Sequence, residues 1–284
     1  MAEELYVSRI FTPPLGWTEG IEGPAVDAAG NLYAVNFAQQ HTIGRVTPEG
    51  EESVFVELPE GSTGNGIRFT SQGVMLVADY TGHNVLAVDM PTRAVSVYAH
   101  EPRMNQPNDI AITARDVVFA SDPNWKASTG NMWRVGTDRK VTLIESGMGT
   151  TNGIEVSPDE RTLYVNESAQ LNVWAYDLSQ DAWPSNKRLL IHFGDFGLDG
   201  MRCDVDGNLY ITRWSKGVIA KVSPKGKVLL EVALRGKNCT NIAFGGADGR
   251  TAYVTVADPD CRNIETFRVE RPGREWALAQ KKKG

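Results

Sequence analysis

The chain has 284 residues, a net charge of −6, 41% hydrophobic residues and 23% charged residues, which is ordinary for a globular protein with a buried core. The basic run at 281–283 is too short for the many Lys and Arg contacts that nucleic-acid binding requires. No apolar stretch approaches the ~20 residues that cross a bilayer. We therefore expect neither a nucleic-acid partner nor a membrane partner.

The cysteines and the first residues indicate the compartment. Cys203, Cys239 and Cys261 are an odd number without CxxC spacing, so neither a disulfide framework nor a zinc motif is expected. The first residues lack the basic start and the apolar run of a secretory signal. We expect a cytoplasmic protein, monomeric or weakly self-associated, whose partner is a small-molecule substrate.

Six similar segments follow one another along the chain at a nearly constant spacing. They begin near Glu22, Asn65, Asn108, Asn152, Asp199 and, in a looser copy, Asn241. Successive starts lie 42 to 47 residues apart. A fixed period in this range indicates an array of similar supersecondary units.

Each repeat contains four short runs rich in β-branched and apolar residues. In the second repeat these are 66–70, 74–79, 84–89 and 94–98, and in the third they are 109–113, 116–121, 131–135 and 140–145. Four antiparallel strands in about 40–45 residues are typical of a propeller blade. No helical pattern intervenes, which argues against alternating β/α folds. We predict an all-β fold, a six-bladed β-propeller forming one domain over residues 1–284.

The closure of the ring is also predicted. The sixth repeat has three clear strands, at 241–244, 251–256 and 264–270, and a further strand at 5–11 precedes the first repeat. Pairing this N-terminal strand with the sixth repeat would close the ring and cover an exposed sheet edge. The segment 274–277 is the alternative source of the missing strand.

Oxygen-bearing side chains recur at one position of the repeats. The first strand of each blade lines the axial channel, so equivalent residues form a ring. The members are Glu22, Asn65, Asn108, Asn152, Asp199 and either Thr240 or Asn241. Turn formation alone also favours Asn and Asp, but it does not require them at one position in five blades. Buried carboxylates and amides need a cation, and Ca²⁺, Mg²⁺ or Mn²⁺ suits an all-oxygen site.

Short motifs between about residues 15 and 270 point to a family. They include Glu22-Gly-Pro24, Gln106-Pro-Asn-Asp109, Thr151-Asn-Gly-Ile154, Leu198-Asp-Gly200 and Ala243-Phe-Gly-Gly246. In their order and spacing they resemble the gluconolactonase family. That family also includes senescence marker protein (regucalcin), luciferin-regenerating enzyme and diisopropylfluorophosphatase.

The resemblance implies one divalent metal ion held by Glu22, Asn152 and Asp199, with Asn108 as a fourth ligand or as a contact to substrate or water. Ca²⁺ is favoured, with Zn²⁺, Mg²⁺ and Mn²⁺ as alternatives, because amide and carboxylate oxygens suit a hard, flexible ion. We expect Asp199 to be the catalytic base. Asp109, behind Asn108, would orient that residue, share in proton transfer or cap a turn.

Four residues are candidates for substrate binding. Asn65 and Asn108 belong to the ring, and Trp125 would form a wall of the pocket or pack between blades. Gln106 stands where regucalcin-like members carry an arginine that contacts sugar hydroxyls. This difference weakens the case for a sugar acid lactone.

These features predict a metal-dependent hydrolase, a lactonase that opens a small lactone by attack of water. One alternative is a phosphotriesterase with the same metal site, in which Asp199 attacks directly. The other is a non-catalytic propeller similar to strictosidine synthase. The complete set of Glu22, Asn108, Asn152 and Asp199 argues against the last, since a metal-free relative has no reason to keep it.

Overall fold

The structure, a computed structural model, describes residues 3–280, so the basic run at 281–283 lies outside it. Six four-stranded antiparallel sheets form the blades of a propeller. Blade 1 contains Trp17–Val26, Leu32–Phe37, Thr42–Val46 and Glu52–Glu57; blade 2 contains Gly64–Phe69, Met75–Asp79, Asn84–Val88 and Val95–His100; blade 3 contains Ile110–Ile112, Val118–Asn124, Thr129–Val135 and Val141–Met148. Blade 4 contains Thr151–Val156, Thr162–Glu167, Asn172–Leu178 and Pro184–His192; blade 5 contains Met201–Cys203, Leu209–Arg213, Val218–Val222 and Val228–Ala233; blade 6 contains Cys239–Gly245, Thr251–Asp258, Cys261–Arg268 and Arg9–Ile10.

The prediction of six blades with four antiparallel strands each is confirmed. Strand boundaries differ by a few residues. The second strand of blade 3 begins at Val118 rather than 116, because Asp116 has a left-handed backbone (φ 63°) that belongs to the preceding turn. It continues to Asn124, three residues beyond the predicted end, because it stays paired with the third strand as far as Thr129, where that strand begins.

The hydrophobic core lies between the blades. Six clusters of buried side chains each join two neighbouring blades, as where Phe119 of blade 3 meets Ile154 of blade 4. The sixth cluster packs Trp17 and Ile21 of blade 1 against Tyr253 of blade 6. The apolar residues of each blade are therefore buried only against a neighbouring blade, and the interface between blades 1 and 6 forms only when the ring is complete.

The N-terminal segment supplies the outer strand of blade 6, as predicted. Arg9–Ile10 pairs antiparallel with Cys261–Arg268, and the backbone N–H groups of Tyr6 and Phe11 extend the pairing through hydrogen bonds of 2.9 Å to the same strand. The regular strand is shorter than residues 5–11. Tyr6 has a left-handed backbone (φ 62°), which interrupts the extended conformation.

The alternative closing strand at 274–277 is wrong. Arg274–Gln280 is an α-helix, the one helix within residues 3–280. Alanine, leucine, glutamate and glutamine favour a helix, and the segment has no β-branched residue. It lies against the end of the channel where the inner strands finish, and the Arg274 guanidinium donates to the Ile112 carbonyl at 3.1 Å. Across the described residues, no helix combines the length and apolar character needed to cross a membrane.

Deleting residues 1–12 should lower the melting temperature, because it reopens the edge of blade 6 and removes the buried Ser8 and Thr12. A loss of about 2 kcal/mol corresponds to roughly 4–8 °C in a chain of this size. Thermal unfolding followed by circular dichroism measures it. Val7→Ala changes an exposed side chain of the same segment and should leave the melting temperature unchanged. An unaltered melting temperature after the deletion would contradict N-terminal closure.

Candidate active site

Five of the predicted ring residues line one cavity of about 400 Å³ at the end of the channel where the inner strands begin. They are Glu22, Asn65, Asn108, Asn152 and Asp199. Each comes from a different blade, so the six-fold arrangement brings together residues that are far apart in sequence. The structure therefore confirms their proximity, while their roles remain predictions.

The sixth ring member is Thr240. In blade 5, Asp199 stands two residues before Met201, where pairing with the second strand begins. In blade 6, Thr240 likewise stands two residues before Ile242, where pairing with the second strand resumes after a register shift. Thr240 lines the cavity. Asn241 lies one layer deeper, where its Oδ1 accepts a hydrogen bond from Arg202 at 3.2 Å.

Glycines following the ring residues let the inner strands approach one another. Gly23 has a left-handed backbone (φ 60°), and a Cβ there would collide with the carbonyl oxygen of Asn65 in the next blade. A Cβ at Gly200 would collide with the carboxamide of Asn241. The backbone N–H of Gly200 donates to the Thr240 carbonyl at 2.7 Å. These close contacts require glycine and make the ring narrow enough for its oxygens to converge.

Two carboxylates share this ring. Glu22 is 8% exposed, and burial together with the negative charge of Asp109 raises its pKa to about 8. Burial and the charge of Glu22 raise the pKa of Asp199 well above its usual range. Neither carboxylate has an ion-pair partner within residues 3–280. Both charges are therefore costly unless a cation lies between them.

Unpaired amide oxygens surround the carboxylates. The Oδ1 atoms of Asn65, Asn108 and Asn152 are buried, and no hydrogen-bond donor reaches them from the described part of the chain. The Nδ2 of Asn152 donates to Ser168 Oγ at 3.0 Å and to Asp199 Oδ1 at 2.8 Å, which orients this amide. An unpaired buried oxygen costs about 1–3 kcal/mol, a cost that a bound cation removes.

These carboxylate and amide oxygens suit a hard divalent cation as ligands. Between residues 3 and 280, no cluster of three or more His, Cys, Asp or Glu side chains has the arrangement of a metal site. An ion here would therefore depend on amide oxygens as well as the two carboxylates. Carboxylate and amide oxygens without nitrogen or sulfur are the ligands that Ca²⁺ and similar ions prefer.

Asp109 lies one layer beneath the cavity rather than on its wall. It is fully buried, and its two carboxylate oxygens form ion pairs with Arg68 Nη1 at 3.3 Å and Arg202 Nη1 at 3.1 Å. The backbone N–H of Ile110 donates to Asp109 Oδ1 at 2.9 Å, the contact that the capping alternative predicts, while orienting Asn108 and sharing in proton transfer stay predictions.

The predicted substrate contacts divide into two groups. Asn65, Asn108 and Trp125 line the cavity, and Trp125 is 41% exposed there. Gln106 is not among the lining residues, and its backbone N–H donates to Asp122 Oδ1 at 2.6 Å. A contact between Gln106 and substrate would need a ligand that extends beyond the cavity.

Sequence reasoning missed several residues of the cavity wall. Tyr80 and Trp214 directly follow the second strands Met75–Asp79 and Leu209–Arg213, and Trp125 follows the second strand of blade 3 in the same way. An aromatic residue directly after the second strand of three repeats was the signal available in the sequence. Asn36 reaches the wall from the second strand of blade 1 and Gln40 from the turn that follows it, and nothing in the repeat pattern marks them.

The fold and the site together define a six-bladed β-propeller with an oxygen-lined site at one mouth of its axial channel. The SMP-30/Gluconolactonase/LRE-like region matches residues 21–258, and the chain belongs to this family.

Two relatives and one solved structure show how similar this chain is to known proteins. A gluconolactonase of Zymomonas mobilis is 29% identical over 285 residues, covering 88% of this chain and 78% of the relative. A pentonolactonase of Haloferax volcanii is 30% identical over 156 residues, about half of each protein at 54%. The crystal structure of a calcium-binding protein, regucalcin, from Agrobacterium tumefaciens has a TM-score of 0.82 at 22% identity, covering 96% of this chain and 97% of that one. At 22% identity, the similarity to this crystal structure supports the fold alone.

The metal-free protein should lose stability as the pH rises from about 5 to 8. The pKa of Glu22 is about 8 in the folded protein and ordinary in the unfolded chain, so folding favours its protonated form and this contribution disappears on deprotonation. The raised pKa of Asp199 acts in the same direction. The expected loss is about 2–5 kcal/mol.

Thermal unfolding of chelator-treated protein at several pH values measures this effect. Glu22→Gln keeps the shape and an oxygen ligand without the titrating group, so the pH dependence should flatten in that variant. Added Ca²⁺ should raise the melting temperature more at pH 8 than at pH 5. Equal pH profiles for the wild type and Glu22→Gln in chelator would contradict the interpretation.

Proposed function

We propose that the protein is a metal-dependent lactonase. The observation that carries the proposal is the pair of buried carboxylates, Glu22 and Asp199, surrounded by unpaired amide oxygens at the wall of a cavity. The gluconolactonase and pentonolactonase relatives support a lactone-hydrolysing enzyme. A cytoplasmic location and a monomeric or weakly self-associated state remain predictions of the sequence.

Glu22, Asn152 and Asp199 would hold the ion, with Asn108 as a fourth ligand or a substrate contact. We favour Ca²⁺, because these oxygens suit it and because a calcium-binding protein shares the fold. When bound, a divalent ion polarises a lactone carbonyl and stabilises the negative charge that develops on its oxygen. This is the chemistry that the ion supplies, and the remaining steps belong to side chains.

Asp199 is the proposed general base. Its carboxylate faces the cavity and is held by the hydrogen bond from Asn152 Nδ2 at 2.8 Å. It would accept a proton from the water that adds to the carbonyl carbon. As the ester bond between that carbon and the ring oxygen breaks, the proton passes to the leaving oxygen, which gives a hydroxy acid.

The cavity wall supports a small, neutral lactone as substrate. Trp125, Tyr80 and Trp214 provide apolar surface that excludes water, while Asn65 and Asn108 supply polar contacts. Lys and Arg are absent from the lining among the described residues. The two ring carboxylates would balance one divalent ion, and Glu19 adds a further carboxylate to the wall, so the site gains little from a negatively charged substrate.

A panel of lactones and organophosphate triesters, assayed with and without chelator, tests the proposal. We expect chelator-sensitive hydrolysis of at least one neutral lactone. Hydrolysis of triesters alone would replace the lactonase by the phosphotriesterase alternative. A filled metal site without hydrolysis of any ester would favour a non-catalytic propeller.

Asp199→Asn should lower kcat by about 10²–10⁴-fold, because the variant keeps the shape and one ligand oxygen but loses the base. Steady-state kinetics on a responsive lactone measures the loss at increasing Ca²⁺, which should restore little activity. Asp206→Asn, an exposed carboxylate of the same blade, is the matched control and should retain full activity. If Asp199→Asn is as active as the wild type, the base lies elsewhere.

A further inference from the structure

The C-terminal helix places a carboxylate inside the channel, at the end opposite the cavity. Glu275 lies between two guanidiniums, with its Oε1 at 2.5 Å from Arg68 Nε and its Oε2 at 3.9 Å from Arg202 Nε. Arg68 belongs to blade 2 and Arg202 to blade 5, on opposite sides of the ring. Both arginines are almost fully buried, so neighbouring carboxylates, rather than water, compensate their charges.

The same two arginines bind Asp109 on the side of the cavity. Their Nη1 atoms lie at 3.3 Å and 3.1 Å from the Asp109 carboxylate, directly beneath the ring of proposed metal ligands. The axis thus carries a column of charged layers. The negative ring comes first, then Asp109, then the arginine pair, and finally Glu275.

Charges in this column act on the ring. The negative charge of Asp109 raises the pKa of Glu22, and the positive charge of Arg202 lowers it, so both groups are within electrostatic reach of the site. Glu155, a buried carboxylate of blade 4, also acts on both guanidiniums, but Arg274 lies 3.7 Å from it, so without Glu275 three guanidiniums would face Asp109 and Glu155. The surplus positive charge would lie beneath a site that must hold a cation, in an interior that screens charges weakly.

We propose that Glu275 is a positioning residue of the metal site: it neutralises the Arg68–Arg202 pair from the far end of the channel, so that the ring retains its affinity for a divalent cation. The inference rests on the metal site of the proposed function. It assigns the helix Arg274–Gln280 a part in metal binding, although none of its residues lines the cavity.

The test measures Ca²⁺ affinity by calorimetric titration of chelator-stripped full-length protein. Glu275→Gln keeps the shape of the side chain and removes its charge, and should raise the Kd by about ten- to hundredfold. Glu275→Asp restores the charge and should recover most of the affinity. Turnover at saturating Ca²⁺ should change by less than about threefold, since the ring itself is intact.

Two further variants separate charge from a merely structural role of the helix. Arg68→Met removes one positive charge from the column and should tighten Ca²⁺ binding, the opposite of Glu275→Gln; this variant decides the matter if Glu275→Gln does not fold. Glu160→Gln is the matched control. Glu160 pairs with Arg274 at 2.8 Å and holds the same helix from outside the arginine pair, so its loss should leave the Kd unchanged.

Opposite shifts for Glu275→Gln and Arg68→Met, with no shift for Glu160→Gln, would support the inference. An unchanged Kd in Glu275→Gln, or weaker binding in all three variants, would overturn it while leaving the proposed function intact. If the wild type binds no Ca²⁺, Mg²⁺, Mn²⁺ or Zn²⁺, the metal site of the proposed function fails, and this inference fails with it.

Discussion

The repulsion between two buried carboxylates is the constraint on which the rest of the molecule depends. Glu22 and Asp199 come from blades 1 and 5. Burial raises the pKa of both, the charge of Glu22 raises that of Asp199 further, and the charge of Asp109 raises that of Glu22. Around them, amide oxygens remain unpaired, and beneath them Asp109 adds a further negative charge. A fold that keeps such a cluster at its axis needs compensation, whether from a cation in the ring or from guanidiniums below it.

The shape of the propeller makes this cluster possible. Each blade contributes one residue to the ring because the inner strands run in parallel at the same height, and glycines at positions such as 23 and 200 bring neighbouring strands into contact. The interblade clusters then hold every strand in register. The geometry of the ring therefore follows from packing over the whole propeller, since no single blade contributes more than one of the ring residues.

The sequence predicted what the repeat period controls. Six blades, four strands in each and five of the ring residues follow from side chains that recur every 42 to 47 positions. Features outside the repeat period were harder to predict from the sequence. Thr240 and Asn241 could be distinguished only by the strand register, and Arg274–Gln280 follows the last repeat, so its helical form and its docking depend on tertiary contacts. The roles of Tyr80 and Trp214 depend on where turns place them, which sequence periodicity does not determine.

The joining of the two ends of the chain in blade 6 has a consequence for biosynthesis. Ser8 and its partner Glu265 are 257 positions apart, so the first strand made must wait for nearly the whole chain before it can pair. At translation rates of 5–20 residues per second, this delay is roughly 10–50 s. During that time blades 1 to 5 can stack on one another as they emerge, but the interface between blades 1 and 6 stays open to water. The nascent propeller therefore passes through a long-lived open arc with apolar flanks at both ends, the kind of species that chaperones bind.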